Sequence, residues 1–248
     1  MRPGVEEARA SDWSLGAQAI INTPSLSVAT QGSVWALGAA RRREAAYAAA
    51  KRALDLVVAS TLLVALLPLF ALIGVAVLLD SGRPIFYRGQ RVGRFGRPFT
   101  VLKFRSMRAN ADATAHMAFV RGLLREGTTC SVYKVPEDRR ITRLGALLRR
   151  SSLDELPQIW NVLRGEMSLV GPRPDVSYAV ADYDDWMHGR LVVKPGITGL
   201  WQVSGRSRLS LLDMYRLDLT YATNASLSLD LSILMRTVPV VLGRDGAA

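Results

Sequence analysis

The sequence has very little of the residues that build disulfide scaffolds and zinc sites. Cys130 is the one cysteine among 248 residues, so no disulfide can form within the chain. The two histidines, His116 and His188, lie far apart in sequence, which argues against a His-rich zinc site and against a catalytic triad built on histidine. The chain therefore fits a reducing compartment and is not a small secreted scaffold.

Acidic and aromatic residues are also scarce. The chain has 21 Asp and Glu against 32 Lys and Arg, so its net charge is +11. Its natural partners are therefore anionic: nucleic acids, phosphorylated ligands or lipid head groups. Aromatic residues make up 7% and do not cluster among the basic residues, as they would on a nucleic-acid-binding surface. We therefore expect no nucleic acid among the partners.

A long apolar run is the most conspicuous feature that the sequence does have. No charged residue occurs from Leu56 to Leu79. A run of about 24 residues is long enough to cross a bilayer as one helix. A buried core helix and a plain single span are the alternative interpretations. Pro68 lies near the middle of the run, where it removes a backbone hydrogen bond and kinks a helix.

Both flanks of this run are basic. Lys and Arg mark cytoplasmic flanks, and a spanning helix would leave one basic flank outside. A helix that breaks at Pro68 can enter and leave the membrane by the same face, so we expect a re-entrant helix-break-helix. The basic residues are Arg41, Arg42, Arg43, Lys51 and Arg52 before the run, and Arg83, Arg88, Arg91, Arg94 and Arg97 after it.

The whole chain predicts an α+β protein that is mostly helical. Residues 1–45 lack the basic start and short apolar core of a signal peptide, and we expect a poorly ordered cytoplasmic extension. Residues 46–82 form the basic lead-in and the membrane segment, and residues 83–248 form a small cytoplasmic domain. Its predicted elements are strands and turns in 82–107 and 192–206, a helical then irregular stretch in 108–135, two helices in 141–167 broken around 151–157, and two helices with a polar joint in 211–242.

The stretch "RRSSLDELPQ" (149–158) places two adjacent carboxylates, Asp154 and Glu155, directly behind two arginines. Ser152 and Glu155 have the spacing of a capping box, in which both side chains satisfy a helix N-terminus. That interpretation leaves Asp154 and Pro157 without a role. A helix N-terminus with nearby arginines binds anions, and two carboxylates belong there if a divalent metal lies between them and a phosphate. On these residues alone both interpretations stay open.

Other charged residues have a similar character. "KFRSM" places Lys103 and Arg105 on one side of a predicted strand, and "GPRP" holds Arg173 between two prolines that restrict its backbone. Asp218 and Asp230 lie in apolar surroundings, as buried partners of arginine or members of a site do. Most charges like these, taken one at a time, are solvated surface residues. Together they point to a phosphate-handling site.

Taken together, four stretches resemble the bacterial sugar transferases, the monotopic phosphoglycosyl transferases that start exopolysaccharide, O-antigen and glycoprotein glycan assembly. The stretches are "KFRSM", "ITRLGALLRRSSLDELPQIWNVLRGEMSLVGPRP", "VKPGITGLWQVSGR" and "LDLTYATNASLSLDLSIL". The resemblance runs from about Lys51 to Leu242, motif after motif in family order. It is poor in residues 108–135 and absent from residues 1–45.

The resemblance implies a reaction and a set of site residues. A hexose-1-phosphate passes from a UDP-sugar to undecaprenyl phosphate, and UMP is released. Asp154 is the implied nucleophile, which forms a covalent aspartyl-phosphosugar, and Glu155 supports Mg²⁺ at the diphosphate. The substrate-binding and phosphate-binding positions fall on Lys103, Arg149, Arg173, Asp218 and Asp230.

The resemblance also implies a place in the cell and in a pathway. The re-entrant hairpin, broken at Pro68, lies among the phospholipids of the bacterial inner membrane, and residues 83–248 form the catalytic domain on its cytoplasmic face. The reaction is the first membrane step of exopolysaccharide or other surface glycan synthesis, and a homo-oligomer is compatible with it. We expect a plain hexose such as glucose or galactose. The alternative function is a non-catalytic, membrane-tethered scaffold of a polysaccharide assembly complex.

Overall fold

The structure, a computed structural model, describes residues 31–108, 117–118, 120–122 and 140–242. Most of the predicted stretch 108–135 lies outside these ranges, as do residues 1–30 of the predicted extension. The backbone of residues 31–45 is helical. Helices and short strands together confirm the predicted α+β class. The chain divides into two compact units, Met1–Ala50 and Lys51–Ala248.

The apolar run forms two helices, α1 (Gln31–Ala65) and α2 (Leu67–Ser81). The segment Glu44–Ala65 is bent by 61° relative to α2. Pro68, in the first turn of α2, has no N–H to continue the α1 hydrogen-bond ladder, which confirms the predicted break. Among the described residues no single helix is long and apolar enough to cross a membrane. The two helices of this bent pair together have a length and an apolar composition that would be sufficient.

The first strands form a hairpin, as the sequence predicts. β1 (Phe86–Val92) pairs antiparallel with β2 (Pro98–Phe104), in a register that sets Phe86 opposite Phe104 and Val92 opposite Pro98. A 3₁₀ turn, Arg94–Gly96, joins them. β2 is the strand that carries Lys103, one of the predicted site residues.

Two helices follow with a break between them, again as predicted. They are α3 (Arg143–Arg150) and α4 (Gln158–Arg164), separated by a 3₁₀ turn, Leu153–Glu155. Thr142 begins α3, because its side chain accepts a hydrogen bond from the Gly145 N–H at 2.9 Å. Gly165 ends α4 in the left-handed conformation that favours glycine.

A short parallel pair forms the centre of the domain. β3 (Ser168–Val170) pairs with β4 (Gly196–Thr198), and the chain between them contains α5 (Ser177–Val180) and a 3₁₀ segment, Asp185–Val192. After β4 the chain forms α6 (Leu200–Ser204). The expectation of strand and turn for 192–206 is therefore correct for β4 and wrong for α6.

The chain continues with α7 (Leu211–Asn224) and α8 (Leu227–Leu242), which confirms the predicted pair of helices with a polar joint. Tyr221 from α7 and Ile233 from α8 lie in the main hydrophobic core together with Val170 of β3 and Ile159 of α4. Ala59 of α1 lies in the same core, so the helix that leads to the break is also packed against the domain.

Candidate active site

Glu155 is the centre of a small charged cluster. Lys103 Nζ donates to Glu155 Oε1 at 2.8 Å, Arg173 Nη1 donates to Oε2 at 3.0 Å, and Arg173 Nη2 also donates to Oε1. Burial alone would raise the pKa of Glu155, but the charges and hydrogen bonds of Arg173 and Lys103 outweigh it and hold the pKa well below its usual range. Glu155 is therefore ionised at neutral pH.

Asp154 lies beside Glu155 in a different environment. The residue is buried, and burial raises the pKa of its carboxyl group even though Lys103, Arg149 and Arg173 act in the opposite direction. The pKa values of the two adjacent carboxyl groups are thus shifted in opposite directions. Such a separation is typical of sites in which two carboxyl groups have different chemical roles. The carboxylate cluster consists of Lys103, Asp154, Glu155 and Arg173.

The capping-box interpretation of this stretch is wrong. Ser152 has a left-handed backbone with φ at 58°, and its side chain caps no helix. The Glu155 side chain binds Lys103 and Arg173 and does not return to the Ser152 N–H. A non-glycine residue in this conformation costs about 1–3 kcal/mol. The sharp turn is therefore held by its surroundings, and it delivers Asp154 into a buried position.

Lys103 reaches the cluster because α4 is docked on β2. The buried Asn161 side chain donates to the Thr100 carbonyl at 2.7 Å and accepts from the Leu102 N–H at 3.0 Å. Burial lowers the pKa of Lys103 and Arg173 adds to this effect, whereas Glu155 opposes it. Lys103 is thus a partly buried cation, and its charged form is favoured by the anionic Glu155.

Arg149 approaches the same cluster from α3. A Cβ atom on Gly145 would lie 2.0 Å from the Ser106 carbonyl oxygen, so only glycine lets α3 come this close to the chain after β2. Arg149 Nε then donates to Ser106 Oγ at 2.9 Å, and its charge acts on Asp154. The structure therefore brings Arg149 near Asp154.

Arg173 is held by a fixed turn after β3. Pro172 and Pro174 restrict the backbone on both sides of it. The Pro172 carbonyl accepts from the Gly196 N–H at 2.8 Å, and the Asp175 carbonyl accepts from the Val92 N–H at 2.9 Å. The turn is thus attached to β4 and to β1, and its direction is set by backbone bonds.

Asp218 does not join the carboxylate cluster. Its Oδ2 accepts from Arg190 Nε at 3.0 Å and from Arg190 Nη2, and both side chains are almost completely buried. Burial raises the pKa of Asp218 to about 6, even though the Arg190 charge acts in the opposite direction. The anchor cluster consists of Asp175, Tyr183, Arg190, Tyr215 and Asp218.

Asp230 belongs to neither the carboxylate cluster nor the anchor cluster. Lys51 Nζ donates to its Oδ2 at 2.9 Å, and the Tyr221 hydroxyl donates to its Oδ1 at 2.6 Å. Lys51 belongs to α1 and Asp230 to the first turn of α8, so this buried pair ties the base of the apolar helix to the C-terminal helix. Neither Asp218 nor Asp230 is brought beside Asp154.

Sequence reasoning singled out one arginine that is structural and missed two that lie near the site. Arg105 donates to the carbonyls of Ser81, Gly82 and Arg83, so it ties the end of α2 to the end of β2 and does not point toward the cluster. Arg190 and Arg206 were missed. Arg206 Nη2 donates to Ser152 Oγ at 3.4 Å, and the charge of Arg206 interacts with that of Glu155. For Arg206 a signal was available, because the "SGR" turn after α6 belongs to one of the stretches that resemble the family.

The cluster was also assessed as a metal site. Within the described ranges, no group of three or more His, Cys, Asp or Glu residues could hold a metal ion. Mg²⁺ is commonly bound through one or two carboxylates, and substrate phosphates supply further ligands. Asp154 and Glu155 offer such oxygens, but both oxygens of Glu155 are occupied by Lys103 and Arg173. Two carboxyl groups are too few to hold a magnesium ion alone, so a phosphate-bearing ligand would have to supply further oxygens.

Comparison with known proteins gives consistent matches. The family model described as bacterial sugar transferase matches residues 46–244. The chain is 45% identical over 197 residues to the UDP-galactose-lipid carrier transferase of Erwinia amylovora, covering 79% of this chain and 41% of that protein. It is 41% identical over 191 residues to the exopolysaccharide production protein ExoY of Sinorhizobium fredii, and the match covers 77% of this chain and 84% of that protein.

The name of a third relative specifies glucose instead of galactose. The chain is 39% identical over 209 residues to the UDP-glucose:undecaprenyl-phosphate glucose-1-phosphate transferase of Caulobacter vibrioides, covering 79% of this chain and 71% of that protein. The chain spans only 41% of the length of the Erwinia relative but most of the other two. The matched residues include both the carboxylate cluster and the anchor cluster.

Proposed function

Because the chain belongs to the bacterial sugar transferase family, we propose that it transfers a hexose-1-phosphate from a UDP-sugar to undecaprenyl phosphate and releases UMP. The names of two relatives, a UDP-galactose-lipid carrier transferase and a UDP-glucose:undecaprenyl-phosphate glucose-1-phosphate transferase, support this class of donor and acceptor. The observation that carries the proposal is the pair Asp154 and Glu155, whose pKa values are shifted in opposite directions beside Lys103 and Arg173.

In this proposal Asp154 is the nucleophile. An Asp154 carboxylate oxygen bonds to the phosphorus next to the sugar, and the bond from that phosphorus to the bridging oxygen breaks, so UMP leaves with the electron pair. A phosphate oxygen of undecaprenyl phosphate then attacks the same phosphorus and the Asp154 carboxylate departs. Covalent catalysis of this kind divides one difficult displacement into two easier ones.

Glu155 and its two cations prepare the site for a dianionic diphosphate. In the absence of substrate, Glu155 keeps Lys103 and Arg173 paired and close together. The donor's phosphate oxygens compete for these cations, and the charge that builds up during displacement is then stabilised by groups already in place. Asp154 and Glu155 would hold Mg²⁺ together with the substrate phosphates, and this ion would offset the negative charge that repels Asp154.

We also propose that α1 and α2 form a re-entrant hairpin in the bacterial inner membrane, with the carboxylate cluster on the cytoplasmic face. Support comes from the bend at Leu66, the basic flanks and a set of exposed apolar side chains on the pair. These side chains are Val57, Val64, Leu67, Leu72, Val75 and Leu79. Arg105 ties the end of β2, and hence Lys103, to the end of α2. If α2 lies in the membrane, Lys103 would therefore be near the membrane surface, where the acceptor's phosphate would lie.

Cysteine labelling tests the topology. In a Cys130→Ser background, Ala48→Cys and Arg83→Cys report on the two flanks, and both should resist a membrane-impermeant thiol reagent applied to intact cells. Both should react after the cells are opened, which serves as the positive control. Labelling of one flank in intact cells would mean that the pair spans the membrane.

A UMP-release assay tests the reaction. Membranes or detergent-solubilised protein receive Mg²⁺, undecaprenyl phosphate and one donor at a time from UDP-galactose, UDP-glucose and their N-acetylated counterparts. We expect UMP from a plain hexose donor, its loss with a chelator, and none from the Asp154→Asn protein. Activity confined to the N-acetylated donors would contradict the hexose assignment. A scaffold without catalysis would release no UMP from any donor.

A further inference from the structure

Arg190 is the most completely engaged charged side chain in the anchor cluster, although nothing in its local sequence marks it. It lies in the 3₁₀ segment Asp185–Val192, against α7, and is buried. Its Nε and Nη2 donate to Asp218, its Nη1 donates to Tyr183 and Asp175, and its plane lies over the Tyr215 ring with the guanidinium carbon 4.4 Å from the ring centre. Burying a charge this deeply is costly unless every partner is well placed.

One further contact links this buried cation to the carboxylate cluster. Arg190 Nη2 donates to the backbone carbonyl of Arg173 at 2.7 Å. Two other carbonyls of the turn, those of Pro172 and Asp175, are held by β4 and β1. The Arg190 bond therefore fixes the backbone of the residue whose guanidinium binds Glu155.

We propose that Arg190 is a positioning residue for the transfer reaction: it holds the Arg173 carbonyl so that the Arg173 guanidinium is aimed at the donor diphosphate before substrate binds. This inference rests on the proposed function. Asp218 binds the Nε and Nη2 atoms of Arg190, and Tyr183 and Asp175 bind its Nη1. Lys cannot replace it, because an ammonium is a point charge without the planar fork.

The test is a double-mutant cycle between positions 190 and 173, scored per folded molecule. We expect Arg190→Lys to lower kcat about 30–100-fold with KM for the donor changed less than about threefold, because a small misplacement of a phosphate-binding group slows the displacement. In an Arg173→Lys background the same change should lower kcat less than about threefold, since it acts through Arg173. Equal losses in both backgrounds would overturn the proposal.

Controls separate positioning from general stability. Arg216→Lys changes an exposed arginine on α7, the helix that carries Asp218, and should leave kcat within about twofold. If Arg190→Lys does not fold, Tyr183→Phe is the deciding variant. It removes one hydroxyl that orients Arg190, so the Arg190 bond to the Arg173 carbonyl should be less well aligned. We expect it to lower kcat about 3–10-fold in the wild-type background only. Wild-type kcat in folded Tyr183→Phe protein would overturn the proposal.

Failure of the proposed function gives a different result. If wild-type protein releases no UMP from any donor, the transferase assignment is wrong, and the same cycle is measured as affinity for UDP with Mg²⁺ by calorimetry. Arg190→Lys should then weaken UDP binding about tenfold in the wild-type background and not in the Arg173→Lys background. Equal weakening in both would overturn the positioning role independently of catalysis.

Discussion

The carboxylate cluster and the anchor cluster are built from the same chemistry, acids paired with cations, but they differ in access to water. In the carboxylate cluster the side chains of Lys103, Glu155 and Arg173 keep 17%, 15% and 31% of their surface exposed. In the anchor cluster Arg190 and Asp218 keep 2% and 1%. The first set can exchange its partners for a ligand, whereas the second set cannot without unfolding its surroundings.

This difference assigns separate roles to acids that look alike in sequence. A buried pair contributes little net stability over an apolar equivalent, but breaking it by removing one partner is strongly destabilising. A partly exposed pair that an anion can enter is suited to binding and to catalysis. We therefore expect substitutions in the carboxylate cluster to lower activity with little effect on stability. Substitutions of the buried ion pairs should lower stability first.

The largest effect should come from Asp154→Asn. The change keeps the shape of the side chain and removes the proposed nucleophile, so transfer should fall by at least about 10⁴-fold. Unfolding in urea should show equal or greater stability, because a buried carboxylate with a raised pKa is replaced by a neutral group. Transfer above about a tenth of the wild-type rate would remove Asp154 from the mechanism.

Lys103→Met should have the next largest effect. It removes one of the two cations that bind Glu155 and would meet the donor phosphates, so kcat/KM should fall about 10²–10³-fold. The matched control is Arg121→Met, which breaks an exposed ion pair with Asp182 and should change kcat/KM less than about twofold. Equal effects of the two variants would mean that a loss of positive charge anywhere explains the result.

Asp230→Ala should lower the free energy of unfolding. It leaves Lys51 and Tyr221 without their carboxylate partner, and breaking a buried pair costs about 3–5 kcal/mol of unfolding free energy. Lys51 keeps partial access to water, which favours the lower end of this range. Urea unfolding measures the loss, and transfer per folded molecule should stay within about fivefold. Unchanged stability with lost transfer would move Asp230 into the reaction.

The effect of Asp218→Asn on stability should include a smaller part that depends on pH. The pKa of Asp218 in the folded protein, about 6, lies above that of an unfolded aspartate. Its contribution to stability is therefore fully present below the unfolded pKa and is lost as pH rises through about 6. The stability of the variant relative to wild type should rise between about pH 4 and pH 6, as followed by urea unfolding at each pH. A constant difference would contradict the raised pKa.

Sequence patterns predicted the features that depend on local chemistry. The break between α1 and α2 follows from the missing N–H of Pro68, and the turn that presents Arg173 follows from its two prolines. Resemblance to a family predicted a site of seven residues: Lys103, Arg149, Asp154, Glu155, Arg173, Asp218 and Asp230. Four of these, Lys103, Asp154, Glu155 and Arg173, form the carboxylate cluster. The structure brings these four side chains together.

Features that depend on distant contacts could not be predicted. Arg190 meets Asp218, Asp175 and the Arg173 carbonyl only after the 3₁₀ segment packs on α7. In the same way, the separate locations of Asp218 and Asp230 depend on how α7 and α8 pack. The spacing of the two residues in the sequence does not indicate this packing. The helix α6 was missed because tryptophan and valine favour strands, whereas the short segment between two glycines is helical.

The proposed transfer reaction depends most on the covalent intermediate at Asp154. The direct measurement is intact-protein mass spectrometry after incubation with Mg²⁺ and the accepted UDP-hexose in the absence of undecaprenyl phosphate, followed by peptide mapping. The account predicts a hexose-phosphate adduct on the peptide that contains Asp154, up to about one equivalent of UMP per protein, and loss of the adduct when undecaprenyl phosphate is added. UMP release that requires the lipid acceptor, with no adduct at any time, would contradict it.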